Sequence, residues 1–129
     1  MKLNNVTITA ILYHAHWCPH CVHFLPEWNI LSKFIKTNQS FQMTKDIFEK
    51  KGINKVIFKT KAVEESQIPM NIKQTIQGYP TIKILVEWHN GKELFEYQGE
   101  RNINDIYAYM AKIAHKITDY PYYMKKSKK

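Results

Sequence analysis

Arginine is almost missing from this 129-residue chain: among 19 lysines and arginines, only Arg101 is an arginine. The net charge of +8 is therefore a lysine charge, gathered in KKGINKVIFKTK and in the terminal MKKSKK. Proteins that read nucleic acid display arginine-rich or aromatic-interleaved basic patches, so lysine alone argues for solubility and unspecific attraction of anions. No nucleic-acid partner is expected. Cysteine is scarce too: two residues exclude a disulfide-stapled secreted scaffold and leave redox or metal chemistry as the reason for a CxxC spacing. No apolar run approaches the roughly twenty residues of a membrane-spanning helix, so no membrane association is expected. The opening MKLNNVTITAILYHAHWC has one lysine and a short apolar run that threonines and then histidines interrupt, with no small-residue cleavage site after it. It reads as a first strand, which implies a reducing, cytoplasmic setting. No internal repeat and no linker divides the chain.

What is present is the composition of a packed domain. Hydrophobic residues make up 44% and aromatic residues 13% of the sequence, which is long enough for one core and too short for two. The heavy use of Lys, Ile and Asn fits an AT-rich coding sequence, as in some parasites and large DNA viruses.

Residues 6–14, VTITAILYH, begin by alternating and pass into an apolar run, the pattern of a strand buried on both faces. From Cys18 to about Lys36, the residues Phe24, Leu25, Trp28, Leu31 and Ile35 hold helical spacing and form one apolar stripe. Pro19 suits the first helical turn, where a missing N–H costs nothing, whereas Pro26 falls inside the pattern and predicts a kink. TNQSFQMTKDIFEKKG offers a cap at Ser40 and a stop at Gly52, and so a short extra helix. NKVIFKTK reads as a second strand, and Pro69 opens a short helix with Ile72 and Ile76 on one face. In TIKILVEWHNGKELFEY two strand-like runs flank Asn90-Gly91, whose tolerance of positive φ predicts a tight hairpin turn there. Asn102, with Asp105 three residues on, caps a last helix carrying Ile103, Ile106, Tyr107, Met110, Ile113 and Ile117 at helical spacing. Strand, helix and strand imply a parallel right-handed crossover, to which the hairpin adds antiparallel strands.

The stretch Trp17-Cys18-Pro19-His20-Cys21 carries the chemistry. A thiolate is the attacking species in disulfide exchange, and a helix N-terminus offers it unpaired N–H groups and a positive dipole. Cys18 is thereby expected to be the more acidic thiol. Cys21, one turn further in, can attack a mixed disulfide on Cys18 and release the partner, so the pair completes a cycle without a cofactor. His20 sets a donor and a partial positive charge beside the thiolate, which favours the reduced form and makes the disulfide more oxidising. A metal is the rival reading, since His14, His16, His20 and His23 surround the pair. Zinc draws its four ligands from two separate loops, while these alternate about one strand end and one helix turn, so no metal is expected. Haem attachment would need His directly after Cys21, where Val22 stands.

Taken together, these residues resemble the thioredoxin superfamily, and within it the catalytic domains of protein disulfide isomerase. The similarity runs from about Ala10 to Lys116. It rests on Trp17 before the first cysteine, Pro26 and Glu27 after the second, EES at 64–66, GYPTIK at 78–83, NGK in the hairpin and YQGERNINDI at 97–106. The resemblance implies that Pro80 is cis and faces the disulfide, that Tyr79 and Pro80 shape the substrate site with Trp17 and Pro19, and that Arg101 assists proton transfer at Cys21. A proline opposite the thiols also disfavours an iron–sulfur cluster shared between two chains. Exposed Trp17 and Tyr79 would give a flat apolar surface for unfolded or extended substrate.

The sequence departs from that family in three places. Leu12 stands where the family has a buried acid, which leaves its lysine partner, matched by Lys59, without a carboxylate. A buried, unpaired lysine loses its proton readily, so Lys59 joins Arg101 as a candidate for proton transfer. Only five residues precede the first strand, so the domain looks trimmed at its N-terminus. The surplus at about residues 38–52 is an extra segment after the first helix.

The expectation is an α/β thioredoxin-like fold with a mixed sheet of about four strands flanked by helices, spanning residues 1–119, and a basic flexible tail over 120–129. The expected activity is thiol-disulfide exchange with protein thiols and disulfides, leaning to the oxidase or isomerase side. Its catalytic residues would be Cys18, Cys21, His20 and Arg101. It would need no cofactor beyond the Cys18–Cys21 disulfide, would draw on an unidentified electron donor or acceptor, and would work as a monomer. The rivals are a redox-inactive binding or scaffold module and a metal-binding dimer.

Overall fold

A computed structural model describes residues 4–38 and 53–119 of the chain. The expected extra helix at 40–52 and the tail at 120–129 lie outside these residues. In order, the elements are β1 (Asn4–His14), α1 (Pro19–Thr37), β2 (Ile53–Glu64), a 3-10 turn (Glu65–Gln67), α2 (Met70–Lys73), β3 (Thr81–Trp88), β4 (Gly91–Glu96) and α3 (Ile103–Asp119). The sheet order is β2-β1-β3-β4. β2 runs parallel to β1, while β3 is antiparallel to β1 and β4 to β3. This is the four-stranded mixed sheet with flanking helices that the sequence predicts.

β1 lies between β2 and β3, and its two-sided apolar pattern follows from that position. Val6, Ile8, Ala10 and Leu12 point to one face, where they meet Phe24, Trp28, Leu31 and Ile35 of α1 and Ile106, Met110, Ile113 and Ala114 of α3. Ile11 and Tyr13 point to the other face and pack with Ile68, Ile72, Ile76, Tyr79 and Leu85. The stripe read from the spacing of α1 is the buried one, and Leu25 at its edge is only partly buried. A fully buried side chain of this size contributes about 1.5–3 kcal/mol through burial alone, so the first cluster fixes how α1 and α3 sit on the sheet. Lys83 is the one charged side chain among the described residues that is buried, at 6% exposure. Its Nζ donates to Thr75 Oγ1 at 2.7 Å, tying β3 to the segment after α2. No described helix is long and apolar enough to cross a membrane.

Two local expectations need correction. The hairpin turn falls on His89 and Asn90, and Gly91 already pairs with Trp88 as the first residue of β4. Among the described residues no non-glycine residue has positive φ, so the turn does not draw on a left-handed Asn90. α1 runs as one helix through Pro26. Pro26 and Val22, whose carbonyl loses its N–H partner to the proline, lie on the exposed side, where water can satisfy that oxygen. At α3 the Asn102 side chain accepts from the N–H groups of Asn104 (2.8 Å) and Asp105 (3.3 Å), as the cap reading requires. The N–H of Asn102 itself donates to the Glu100 carbonyl rather than to Asp105.

Candidate active site

β1 ends at His14 and the chain turns through Ala15, His16 and Trp17 before α1 begins. The Cys18 N–H closes this turn on the Ala15 carbonyl at 3.2 Å. Cys18 is the N-cap of α1, in extended backbone at φ −89° and ψ 113°, with Pro19 as the first helical residue. Its sulfur accepts from the Cys21 N–H at 3.3 Å, one of the donors that a helix leaves unpaired at its start. A donor so placed stabilises negative charge on that sulfur. On its other side the Cys18 thiol donates to the Tyr79 carbonyl at 3.3 Å. The Tyr79–Pro80 bond is cis. Two segments 61 residues apart in sequence thus meet at one sulfur atom.

Both cysteines are free thiols, Cys18 at 3% exposure and Cys21 at 0%. Burial pushes the Cys21 thiol up to about 11, helped by its hydrogen bond with Cys18 and by the Cys18 charge. A backbone contact with Ala15 and the positive charge of Arg101 pull the other way. Cys21 therefore holds its proton at neutral pH. Leu12, at the place where the resemblance puts an acid, is fully buried within the apolar cluster and offers nothing to take that proton.

The rim of the site is aromatic and acidic. Trp17 is 67% exposed and meets Tyr79 edge to face, with ring centroids 5.9 Å apart and planes at 87°. Its indole N–H donates to Glu65 Oε1 at 2.9 Å. His16 Nε2 lies 3.6 Å from Glu64 Oε2. Hydrogen bonds from Ser66 hold the Glu64 carboxyl below its ordinary value, with smaller help from His16 and His14. Partial burial lowers the His14 pKa, against the pull of Glu64. The loop leading into Cys18 is thus clasped to the end of β2 by two neighbouring carboxylates. EES stood in the sequence only as part of a resemblance. The signal for its role was the register that sets His14 beside Glu64, which a sequence does not display.

Of the residues expected at the site, the structure brings together Trp17, Cys18, Pro19, Cys21, Tyr79 and Pro80. His20 is exposed in the first turn of α1. Arg101 is exposed in the loop between β4 and α3, close enough for its charge to act on Cys21. With Pro80, Thr81, Glu96, Tyr97 and other neighbours it lines a cavity of about 240 Å³. Lys59 does not fit its expected part. It is exposed on β2, so the buried setting on which its expected part rested is absent. Among the described residues, no three His, Cys, Asp or Glu side chains converge as metal ligands.

Comparison with known proteins places this geometry. The family model for thioredoxin matches residues 2–112. A protein disulfide-isomerase of Zea mays is 33% identical over 103 residues, covering 80% of this chain and 17% of that protein. A thioredoxin domain-containing protein 5 homolog of Drosophila melanogaster is 31% identical over 105 residues, covering 81% of this chain and 21% of that protein. The chain thus spans about a fifth or less of the curated relatives it matches. Among solved structures, the Trx4 domain of ERdj5 superposes with a TM-score of 0.60 at 21% identity, covering 84% of this chain and 80% of that one. The first thioredoxin domain of mouse protein disulfide-isomerase A4 gives 0.56 at 24% identity, covering 82% and 62%.

Proposed function

The chain belongs to the thioredoxin family, and on that premise we propose that it exchanges disulfides with protein substrates through Cys18 and Cys21. The Cys18 thiolate attacks one sulfur of a substrate disulfide; a Cys18–substrate disulfide forms and the other substrate sulfur leaves as a thiolate, which takes up a proton. Cys21 then gives up its proton and attacks the Cys18 sulfur. The Cys18–Cys21 disulfide forms, the second substrate thiolate leaves, and two electrons have passed from the pair to the substrate. Run backwards, the same steps oxidise a substrate dithiol. The pair is itself the electron carrier, so the cycle calls on no bound cofactor. It calls on a separate donor or acceptor to reset it, with the protein working as a monomer.

The observation that carries this reading is the double contact of the Cys18 sulfur, with the Cys21 N–H on one side and the Tyr79 carbonyl on the other. The first contact supports the attacking role. The second sets the reactive sulfur against the backbone beside Pro80, where an extended substrate can align. His20 in the first turn favours the reduced pair and so tilts the couple toward the oxidase or isomerase side. Equilibration with glutathione followed by trapping of free thiols tests the assignment. A potential between about −200 and −120 mV supports an oxidase or isomerase, whereas one near about −270 mV replaces that leaning with a reductase. A Cys18→Ser protein that keeps full activity would discard the exchange role.

A further inference from the structure

Away from the thiols, a groove of about 630 Å³ runs between α1 and the outer edge of β2. Lys33 and Lys36 line it from α1, and Lys59 and Lys61 line it from β2, with no acidic residue among its described walls. All four lysines are exposed. At its floor Thr60 donates to Ser32 at 2.9 Å, fastening the helix to the strand. β2 is an edge strand: β1 pairs with it along one side, and no described strand pairs with the other.

We propose that this edge is a docking site for an extended acidic segment of a partner polypeptide, which adds as a further strand beside residues 59–62. Four like charges around one groove repel each other and raise the local positive potential, so a negatively charged occupant relieves what a neutral one leaves in place. The positions of the lysines match the alternation of a strand. Lys59 and Lys61 are two residues apart and share one sheet face, opposite the face where Phe58 packs under α1. Lys33 and Lys36 lie one turn apart on the helix. An added strand sends successive side chains to opposite faces, so acids along it meet β2 lysines at one position and α1 lysines at the next. Lysine is a point charge with no planar fork, which suits carboxylates spaced along a chain better than a single bidentate anion.

Lysine on an edge strand ordinarily keeps other strands away. That property is retained here toward neutral and basic strands and reversed toward acidic ones, so the same four charges act as the selector. The site stands apart from the exchange chemistry and needs neither cysteine.

The test uses a fluorescein-labelled peptide of about ten residues in which Glu-Glu pairs alternate with Thr-Thr pairs, so that both strand faces carry acids, the matching Lys–Thr peptide, and the same acidic peptide N-methylated throughout, which keeps its charges and loses its ladder donors. Binding to the full chain is read by anisotropy and by backbone amide shifts. The expected result is saturable binding of the acidic peptide alone, with shifts at residues 59–63, weakened at least about tenfold both by the Lys59→Glu/Lys61→Glu double variant and by N-methylation. These lysines are exposed, so the variant keeps its fold, which its amide spectrum verifies. Equal binding by the double variant, or no saturable binding of the acidic peptide, overturns the site. Equal binding of the N-methylated peptide overturns strand addition in favour of diffuse attraction of anions.

Discussion

Replacing Leu12 with Asp would restore a carboxyl where the resembled family carries one, and the structure fixes what that change costs. Leu12 is fully buried between β2 and β3, opposite Ala62 and Ile82. Removing its side chain forfeits about 2–5 kcal/mol of packing, as for other buried leucines. A carboxyl at a fully buried site with no partner has its pKa raised by up to about 3–5 units, and each unit is worth about 1.36 kcal/mol. Because the folded pKa lies above the unfolded one, the penalty is absent below the unfolded value, near about 3.9. It grows as pH rises toward the folded value and is then complete, at about 4–7 kcal/mol. Leu12→Asn has nearly the same shape and no charge, so the difference between the two variants isolates the ionisation. Urea unfolding of both should give equal stabilities at about pH 3 and a gap of several kcal/mol at about pH 8, a large part of the roughly 5–15 kcal/mol of a domain this size. Equal stabilities at both pH values would refute the placement of Leu12 in a dry core.

Three further outcomes follow from the site and its supports. In Cys18→Ser, alkylation of Cys21 by iodoacetamide should titrate below the value of about 11 but above the ordinary 9.0, because burial, the largest cause of its shift, survives the change; a midpoint at 9.0 or below would show that Cys18 and not burial sets it. Glu65→Ala removes the acceptor that holds the Trp17 indole, and a hydrogen bond worth about 0.5–1.5 kcal/mol predicts a loss of roughly twofold to tenfold in kcat/KM for a peptide disulfide, with the Cys18–Cys21 potential unchanged. Asn102→Ala leaves two N–H groups of α3 without their cap and should lower the unfolding free energy by about 1 kcal/mol, measured in urea.

The residues that show how far a sequence reaches are Trp28 and Lys59. Burial of Trp28 against the sheet is legible, because apolar periodicity records which face of an element meets the core. The fate of Lys59 is not, because it depends on β2 being the outer strand of the sheet, and neighbour order is a long-range property. The same division runs through the active site. The helix start and the cysteine spacing are local, so the N-cap role of Cys18 could be read from WCPHC. The carbonyl that Cys18 meets comes from Tyr79, 61 residues away, and only the resemblance supplied it. The clasp made by Glu64 and Glu65 is not legible in the sequence, because Trp17 lies 48 residues from Glu65 along the chain and His16 is likewise distant from Glu64. The hairpin slipped by one residue because Asn90-Gly91 is a strong local turn signal, while the observed register is closed by Trp88 against Gly91.

Cys21 and Leu12 also bear on which kind of exchange the proposed cycle favours. The second step of the cycle needs Cys21 as a thiolate, yet burial holds its proton to about 11, and the charge that opposes this belongs to the exposed Arg101. With an apolar Leu12 in place of a buried base, that proton has no internal acceptor at this position. In the proposed cycle resolution would then be slow relative to attack, and a substrate joined to Cys18 would have time to rearrange its own disulfides before release. A slow second step hampers a reductase, whose turnover needs release, and serves an isomerase, whose product forms while the mixed disulfide lasts. Arg101→Gln should lengthen that lifetime further, and the ratio of isomerised to reduced product from a scrambled substrate should rise with it. A ratio that stays constant while the lifetime changes would separate isomerisation from resolution and remove the basis for this preference.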